Sequence, residues 1–146
     1  MGARPSHAFL HEIPNIRLGE FDLGGVLYHA NYFHLYEAAR EAFLASAGVP
    51  YYSLVSNSQH LAIVETSQKF LAPVLYGARL ELWLWLTDLK RASVTFNYEL
   101  LAIESKAAIH RATTTNVFVE LRQGAFKVQP FSAELKQLFQ RFSQTG

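Results

Sequence analysis

Leu80, Leu82, Leu84 and Leu86 alternate with Glu81, Trp83, Trp85 and Thr87, and the same period returns as Val94, Phe96, Tyr98 and Leu100 against Ser93, Thr95, Asn97 and Glu99. Such alternation predicts two half-buried strands joined by a short turn at Asp88 to Ala92. Ala108 to Leu121, rich in Thr and Val, reads as a long strand, and His60 to Leu71 as a less regular one closed by Pro73. Upstream the period is helical. Polar Asn31, His34 and Glu41, with Glu37 and Arg40 beside them, occupy a narrow face, while Phe33, Tyr36, Ala39, Phe43, Leu44 and Ala47 cover the rest. This predicts a mostly enclosed helix from about Ala30 to Ala47, capped by Gly48 and stopped by Pro50. Ile13 to Glu20, bounded by Pro14 and Gly19, fits an edge strand, and Ser53 to Gln59 a polar loop. Ser132 to Phe142 sets Leu135, Leu138, Phe139 and Phe142 on one helical face, with Pro130 and Ser132 as the start signal.

The predicted order is strand, long helix, four strands and a terminal helix. It implies an α+β domain over 1–146 in which a curved, largely antiparallel sheet of about five strands wraps one helix. A sheet of this size has two edges, and Trp83 and Trp85 fall on its second face, so pairing with another subunit is expected, with a dimer as the minimum.

Composition narrows the function. The 146 residues, half of them hydrophobic, suit one domain with a sizeable core. Thirteen Lys plus Arg against twelve Asp plus Glu give a net charge of +1, and the basic residues are scattered, so no broad cationic surface for nucleic acid or membrane is expected. There is no cysteine, which removes disulfides, thiol nucleophiles and thiolate metal sites. The opening MGARPSHAFLHEIPN lacks a signal-peptide core, and the longest apolar runs fall far short of the roughly 20 residues that span a bilayer. A soluble, cytoplasmic protein is the expectation.

The candidate chemistry lies in GEFDLGGVLYHAN, Gly19 to Asn31, where Asp22 precedes Gly24, Gly25 and the start of the helix. The first turn of a helix presents N–H groups without intrahelical partners and a partial positive charge, so a polarised carbonyl can dock beside the carboxylate. The competing reading makes Asp22 a turn-forming residue that bonds its own backbone. His29 and His34 lie five apart, off the usual same-face spacing, and no metal site is expected from them; His34 reads as a surface or interface residue. Glu37 and Arg40 are placed to pair on the helix.

The segment DLGGVLYHANYFHLYEAAR, Asp22 to Arg40, resembles the signature of the 4-hydroxybenzoyl-CoA thioesterase family of hotdog-fold proteins, most nearly its Tol-Pal-associated acyl-CoA thioesterase branch. That resemblance implies thioester hydrolysis with Asp22 as catalytic carboxylate, the backbone N–H of His29 as oxyanion donor, and active sites between paired subunits. The family's common Asp-x-Asp-x-x-Gly pattern has Glu20 in place of its first Asp here. Gly25, Tyr28 and Tyr32 join Glu20 as candidate substrate contacts around the turn. The resemblance also carries Lys90 and Arg91, in the turn between two strands, over to the phosphates of coenzyme A. Coenzyme A would then be part of the substrate, and no separate cofactor is implied.

Asp22 would act as nucleophile or as general base on water; the sequence leaves both open. The substrate alternatives are a short-chain acyl-CoA, an aryl-CoA such as a hydroxybenzoyl or 1,4-dihydroxy-2-naphthoyl thioester, or an acyl group on acyl carrier protein. A hotdog dehydratase and a non-catalytic acyl-CoA binding subunit are the alternatives outside hydrolysis. No G-x-S-x-G, P-loop, dinucleotide G-x-G-x-x-G or zinc-helix motif is present. A homodimer or homotetramer is the expected assembly.

Overall fold

The computed structural model describes residues 2–143; Met1 and residues 144–146, the ends of the expected 1–146 domain, lie outside the described residues. Six strands form one antiparallel sheet: β1 (Phe9–Glu12), β2 (Gln59–Phe70), β3 (Leu80–Thr87), β4 (Ser93–Ala102), β5 (Ala108–Arg122) and β6 (Ala125–Val128). The spatial order is β1-β3-β4-β5-β2, with the short β6 also paired to β5. Helix α1 (Tyr32–Ser46) lies against one face, a short α2 (Tyr51–Ser56) follows it, and α3 (Ala133–Ser143) closes one end. This sheet around one long helix is the hotdog arrangement the resemblance implies.

Spacing explains how α1 seats itself. Tyr32, Tyr36, Ala39 and Phe43 recur at four, three and four residues, lie on one face and are buried, with Leu44 beside them. Tyr36 stacks on Tyr98, and Phe43 meets Phe9, Phe96 and Phe142 edge-on, so the helix underside is an aromatic ladder packed against β1, β4 and α3. Burial of each such ring stabilises the fold by roughly 1.5–3 kcal/mol. Gly48 ends the helix as expected. At φ +85° it takes the left-handed conformation, and its N–H bonds Ala45 O while that of Val49 bonds Leu44 O.

Several expectations are corrected. The first strand is Phe9–Glu12 rather than Ile13 to Glu20, because Phe9 to Glu12 pair with Leu84 to Glu81 whereas Pro14 has no N–H to give a ladder. Leu18–Glu20 forms a turn of 3₁₀ helix. Part of the predicted polar loop is α2, whose Ser53 and Ser56 hydroxyls bond back to carbonyls three residues earlier. Gln123 and Gly124, both at positive φ, turn β5 into β6, a short hairpin strand beyond the expected end at Leu121. Trp85 is only 4% exposed and Trp83 is covered by the Arg4 guanidinium at 4.3 Å, so the second face of the sheet does not offer an open aromatic surface. Exposed apolar side chains lie instead on β2, where Val64 is 63% and Phe70 53% exposed. Arg40 does not pair with Glu37; its guanidinium donates to Tyr98 Oη at 2.9 Å.

No helix among the described residues is long and apolar enough to cross a membrane.

Candidate active site

Asp22 sits in a loop tied down at both ends. Its N–H donates to Val26 O at 2.9 Å, its C=O accepts from Gly25 N at 3.0 Å, and its Oδ1 accepts from Gly24 N at 2.8 Å and from Val26 N at 3.3 Å. Gly25 closes the loop at φ +82°, a conformation that disfavours any residue with a Cβ. One carboxylate oxygen therefore performs the turn-forming role, while Oδ2 makes no hydrogen bond among the described residues. The turn reading is met by Oδ1, which leaves Oδ2 for the chemical reading.

The loop is fastened to the helix start and to the segment after β2. Glu20 O accepts from Tyr28 N at 3.1 Å and from Asn31 Nδ2 at 2.8 Å, while Leu27 N donates to Val74 O at 2.8 Å. His29–Asn31 forms a 3₁₀ turn that runs into α1. The His29 N–H, first in that turn, has no partner within it. Asp22 and His29 line the same cavity of about 380 Å³, walled by Leu27, Tyr32, Phe70 and Pro73. Residues of the Asp22 loop and of the helix start thus line one largely apolar recess.

The other predicted residues divide. Tyr32 lines the cavity with its ring edge-on to Phe70, and Gly25 shapes the loop. Tyr28 is exposed, with its ring against that of His29. The Glu20 side chain turns away from the cavity, accepting from Arg17 at 3.3 Å and meeting His34 Nδ1 at 3.2 Å, so it braces the loop on the opposite side. Lys90 and Arg91 line a different recess, of about 520 Å³, together with Lys136 of α3. β3 begins beside the Asp22 end of the sheet and leads through Thr87 to their turn, which places them about 23 Å from that end by strand rise. Within one chain they do not meet Asp22.

The sequence reading did not pick out Phe70 or His110. His110, fully buried, pairs with Phe70 across β2 and β5, stacks on Tyr32 at 4.1 Å and bonds Tyr36 Oη through Nδ1. Burial pushes its pKa down to about 4, so the ring is neutral near pH 7. The available signal was a histidine at a helix-facing position of a strand, where an apolar residue is the norm. Farther along β5, Thr114 and Asn116 continue the polar line, Thr114 bonding Tyr98 Oη at 2.8 Å and Asn116 Oδ1 at 2.8 Å.

The model of the Thioesterase-like superfamily matches residues 16–139. The chain belongs to that superfamily, and its enzyme class is thioester hydrolase. A protein of Aquifex aeolicus described as "Putative esterase" is 29% identical over 105 residues, 72% of this chain and 80% of its own length. The crystal structure of a 1,4-dihydroxy-2-naphthoyl-CoA thioesterase from Synechocystis superposes with a TM-score of 0.81 at 26% identity, over 90% of this chain and 95% of that one. The fold extends to a thioesterase-superfamily protein from Jannaschia, with a TM-score of 0.85 at 22% identity and 99% of both chains covered.

Proposed function

We propose that the protein hydrolyses an acyl-CoA thioester to the free acid and CoA, with Asp22 as the reacting carboxylate and the His29 backbone N–H as oxyanion donor. The observation that carries this reading is the single cavity lined by Asp22 and His29. A thioester carbonyl placed there has its oxygen toward the amide and its carbon toward Oδ2. Attack by Oδ2 expels the CoA thiolate and leaves a mixed anhydride, which water opens to restore the carboxylate; alternatively, Oδ2 takes a proton from the water that attacks. Both routes build charge on the carbonyl oxygen, where a backbone donor contributes about 3 kcal/mol to transition-state stabilisation.

The assembly we propose is a homodimer formed along β2, or a homotetramer built from two such dimers. β2 is an edge strand with exposed Ile63, Val64 and Phe70. Its Phe70 end lies with Asp22, and its Gln59 end with the turn that carries Lys90 and Arg91. Antiparallel pairing of two copies reverses the strand. The partner subunit's Lys90 and the partner subunit's Arg91 then arrive at the Asp22 end, where CoA phosphates need cations. The reading extends to the Tol-Pal-associated branch, on the signature alone, and, in keeping with a cysteine-free composition, to a cytoplasmic site of action. The test is a hydrolysis screen over acyl-CoA chain lengths and aryl-CoAs, with acyl carrier protein thioesters alongside. Turnover of at least one CoA thioester is expected, and none from the whole panel would overturn the proposal.

A further inference from the structure

The Asp22 loop is a small hairpin. Asp22 N donates to Val26 O at 2.9 Å, Phe21 and Leu27 form an antiparallel bridge, and at the base Glu20 O accepts from Tyr28 N at 3.1 Å. One bond at the base leaves the hairpin free to pivot about Tyr28, and the His29 amide follows directly after that pivot. The placement of Asp22 against the amide therefore depends on what stops the rotation.

Among the described residues, two side chains cross from the helix to the hairpin, and both end on Glu20. His34 Nδ1 meets the Glu20 carboxylate at 3.2 Å, but the His34 side chain is 66% exposed, and a polar contact so open to water adds little. Asn31 Nδ2 donates to Glu20 O at 2.8 Å in a partly buried setting. A carbonyl oxygen only accepts, so the amide nitrogen of Asn31 is the atom that faces it. With the Tyr28 N–H, this bond occupies both lone pairs of Glu20 O. Asn31 N also donates to Tyr28 O at 2.8 Å, so Glu20, Tyr28 and Asn31 close a triangle and the pivot is locked.

The helix forgoes a cap to make this bond. An Asn before a helix commonly accepts a backbone N–H with its side-chain oxygen, yet Asn31 makes no capping bond to α1. At φ −80° and ψ −11° it is already helical, because the turn His29–Asn31 runs on into α1. Its side chain turns back to the loop, in a recess shared with Glu20, Leu27 and His34. That recess is distinct from the Asp22 cavity, so Asn31 touches neither a substrate placed there nor the reacting carboxylate. We propose that Asn31 is a positioning residue, which holds the Asp22 carboxylate in place against the His29 N–H by fastening Glu20 O to the helix start. The inference rests on the thioester-hydrolase reading and adds a residue to that site.

The test is Asn31→Asp. Aspartate suits the start of a helix at least as well as Asn, because its charge meets the positive end of the dipole, yet a carboxylate cannot donate to Glu20 O. On the best CoA thioester from the screen, kcat should fall about 10-fold or more with KM within about two-fold, since a small misplacement of reacting groups costs rate and Asn31 makes no substrate contact. Hydrogen exchange gives a readout that needs no substrate. The Asp22 and Tyr28 amides should exchange about 10-fold faster than in the parent, while those of Ala39 and Phe43 in α1 keep the parent rate. Asn31→Ser, whose side chain falls short of Glu20 O, serves if Asn31→Asp folds poorly.

Faster exchange at Tyr28 with kcat unchanged overturns the positioning role and leaves the hydrolase reading intact. Parent exchange rates throughout, with the parent kcat, show that Asn31 ties nothing. Lost protection that spreads to Ala39 and Phe43, with kcat and KM moving together, makes Asn31 a structural residue and also overturns the proposal. A parent that hydrolyses no thioester overturns the hydrolase reading instead, and the exchange pattern then decides by itself whether Asn31 holds the hairpin.

Discussion

Asp22 Oδ1 accepts the Gly24 N–H at 2.8 Å, and the same oxygen lies 3.2 Å from the place a Gly24 Cβ would occupy. The glycine therefore sets the position of the carboxylate as well as the shape of the turn. Gly24→Ala should displace the carboxylate by a few tenths of an ångström. Because catalysis is steep in such displacements, kcat should fall about 10-fold while unfolding stability changes by less than about 1 kcal/mol. Steady-state kinetics and urea unfolding check both halves, and an unchanged kcat would mean that the carboxylate's position in the turn is irrelevant to the reaction.

The exposed β2 edge gives a second prediction. Val64→Lys places a charge on the strand proposed to pair between subunits, where edge lysines discourage pairing. Light scattering should find the parent dimeric or tetrameric and the variant shifted toward monomer, with activity lost in parallel. A fully active parent monomer at micromolar concentration would remove the shared site.

Lys90 and Arg91 provide a test of the CoA contact. If the partner subunit's Lys90 and the partner subunit's Arg91 hold phosphates, Lys90→Ala with Arg91→Ala should raise KM several-fold, leave kcat near the parent value and flatten the dependence of KM on salt. Interactions equal in ground and transition states act on binding alone. A selective fall in kcat would give the turn a structural role instead.

His110 makes stability depend on pH. Burial lowers its pKa from 6.5 to about 4 in the folded chain. The unfolded chain takes up the proton first as pH falls, so the stability linked to the neutral ring is fully present above pH 6.5 and is lost as pH drops from 6.5 through 4. Its full size is on the order of 3 kcal/mol. Urea midpoints at pH 7.5 and pH 4.5 should fall more for the parent than for His110→Gln. Equal falls would show that another group governs the acid limb.

Much of this architecture is legible in the pattern of residues. The leucines of β3 and the alternating residues of β4 specify both strands and their inward faces, and the spacing of Tyr36, Ala39 and Phe43 specifies the buried side of α1. Local patterns fail where a long-range partner decides. Phe9–Glu12 is a strand because β3 lies beside it, which no local period reveals. The site shows the same division. Asp22, Gly25 and His29 fall within one turn and can be read together, whereas Phe70 and His110 join them only through the pairing of β2 with β5. Glu20 was read by its side chain, yet its backbone carbonyl does the fastening to Tyr28 and Asn31.

The central claim concerns Asp22, and Asp22→Asn isolates it because Asn keeps an oxygen to accept the Gly24 N–H while removing the charge. The measurement is kcat/KM of Asp22→Asn on the best CoA thioester from the screen, with circular dichroism to establish folding and Glu20→Gln as the control for a residue that only braces the loop. The expected result is a folded protein that loses roughly 100-fold or more of its activity, against about 10-fold for Glu20→Gln. A folded Asp22→Asn with near-parental activity would contradict the assignment, and a larger loss in Glu20→Gln would move the reacting carboxylate to Glu20.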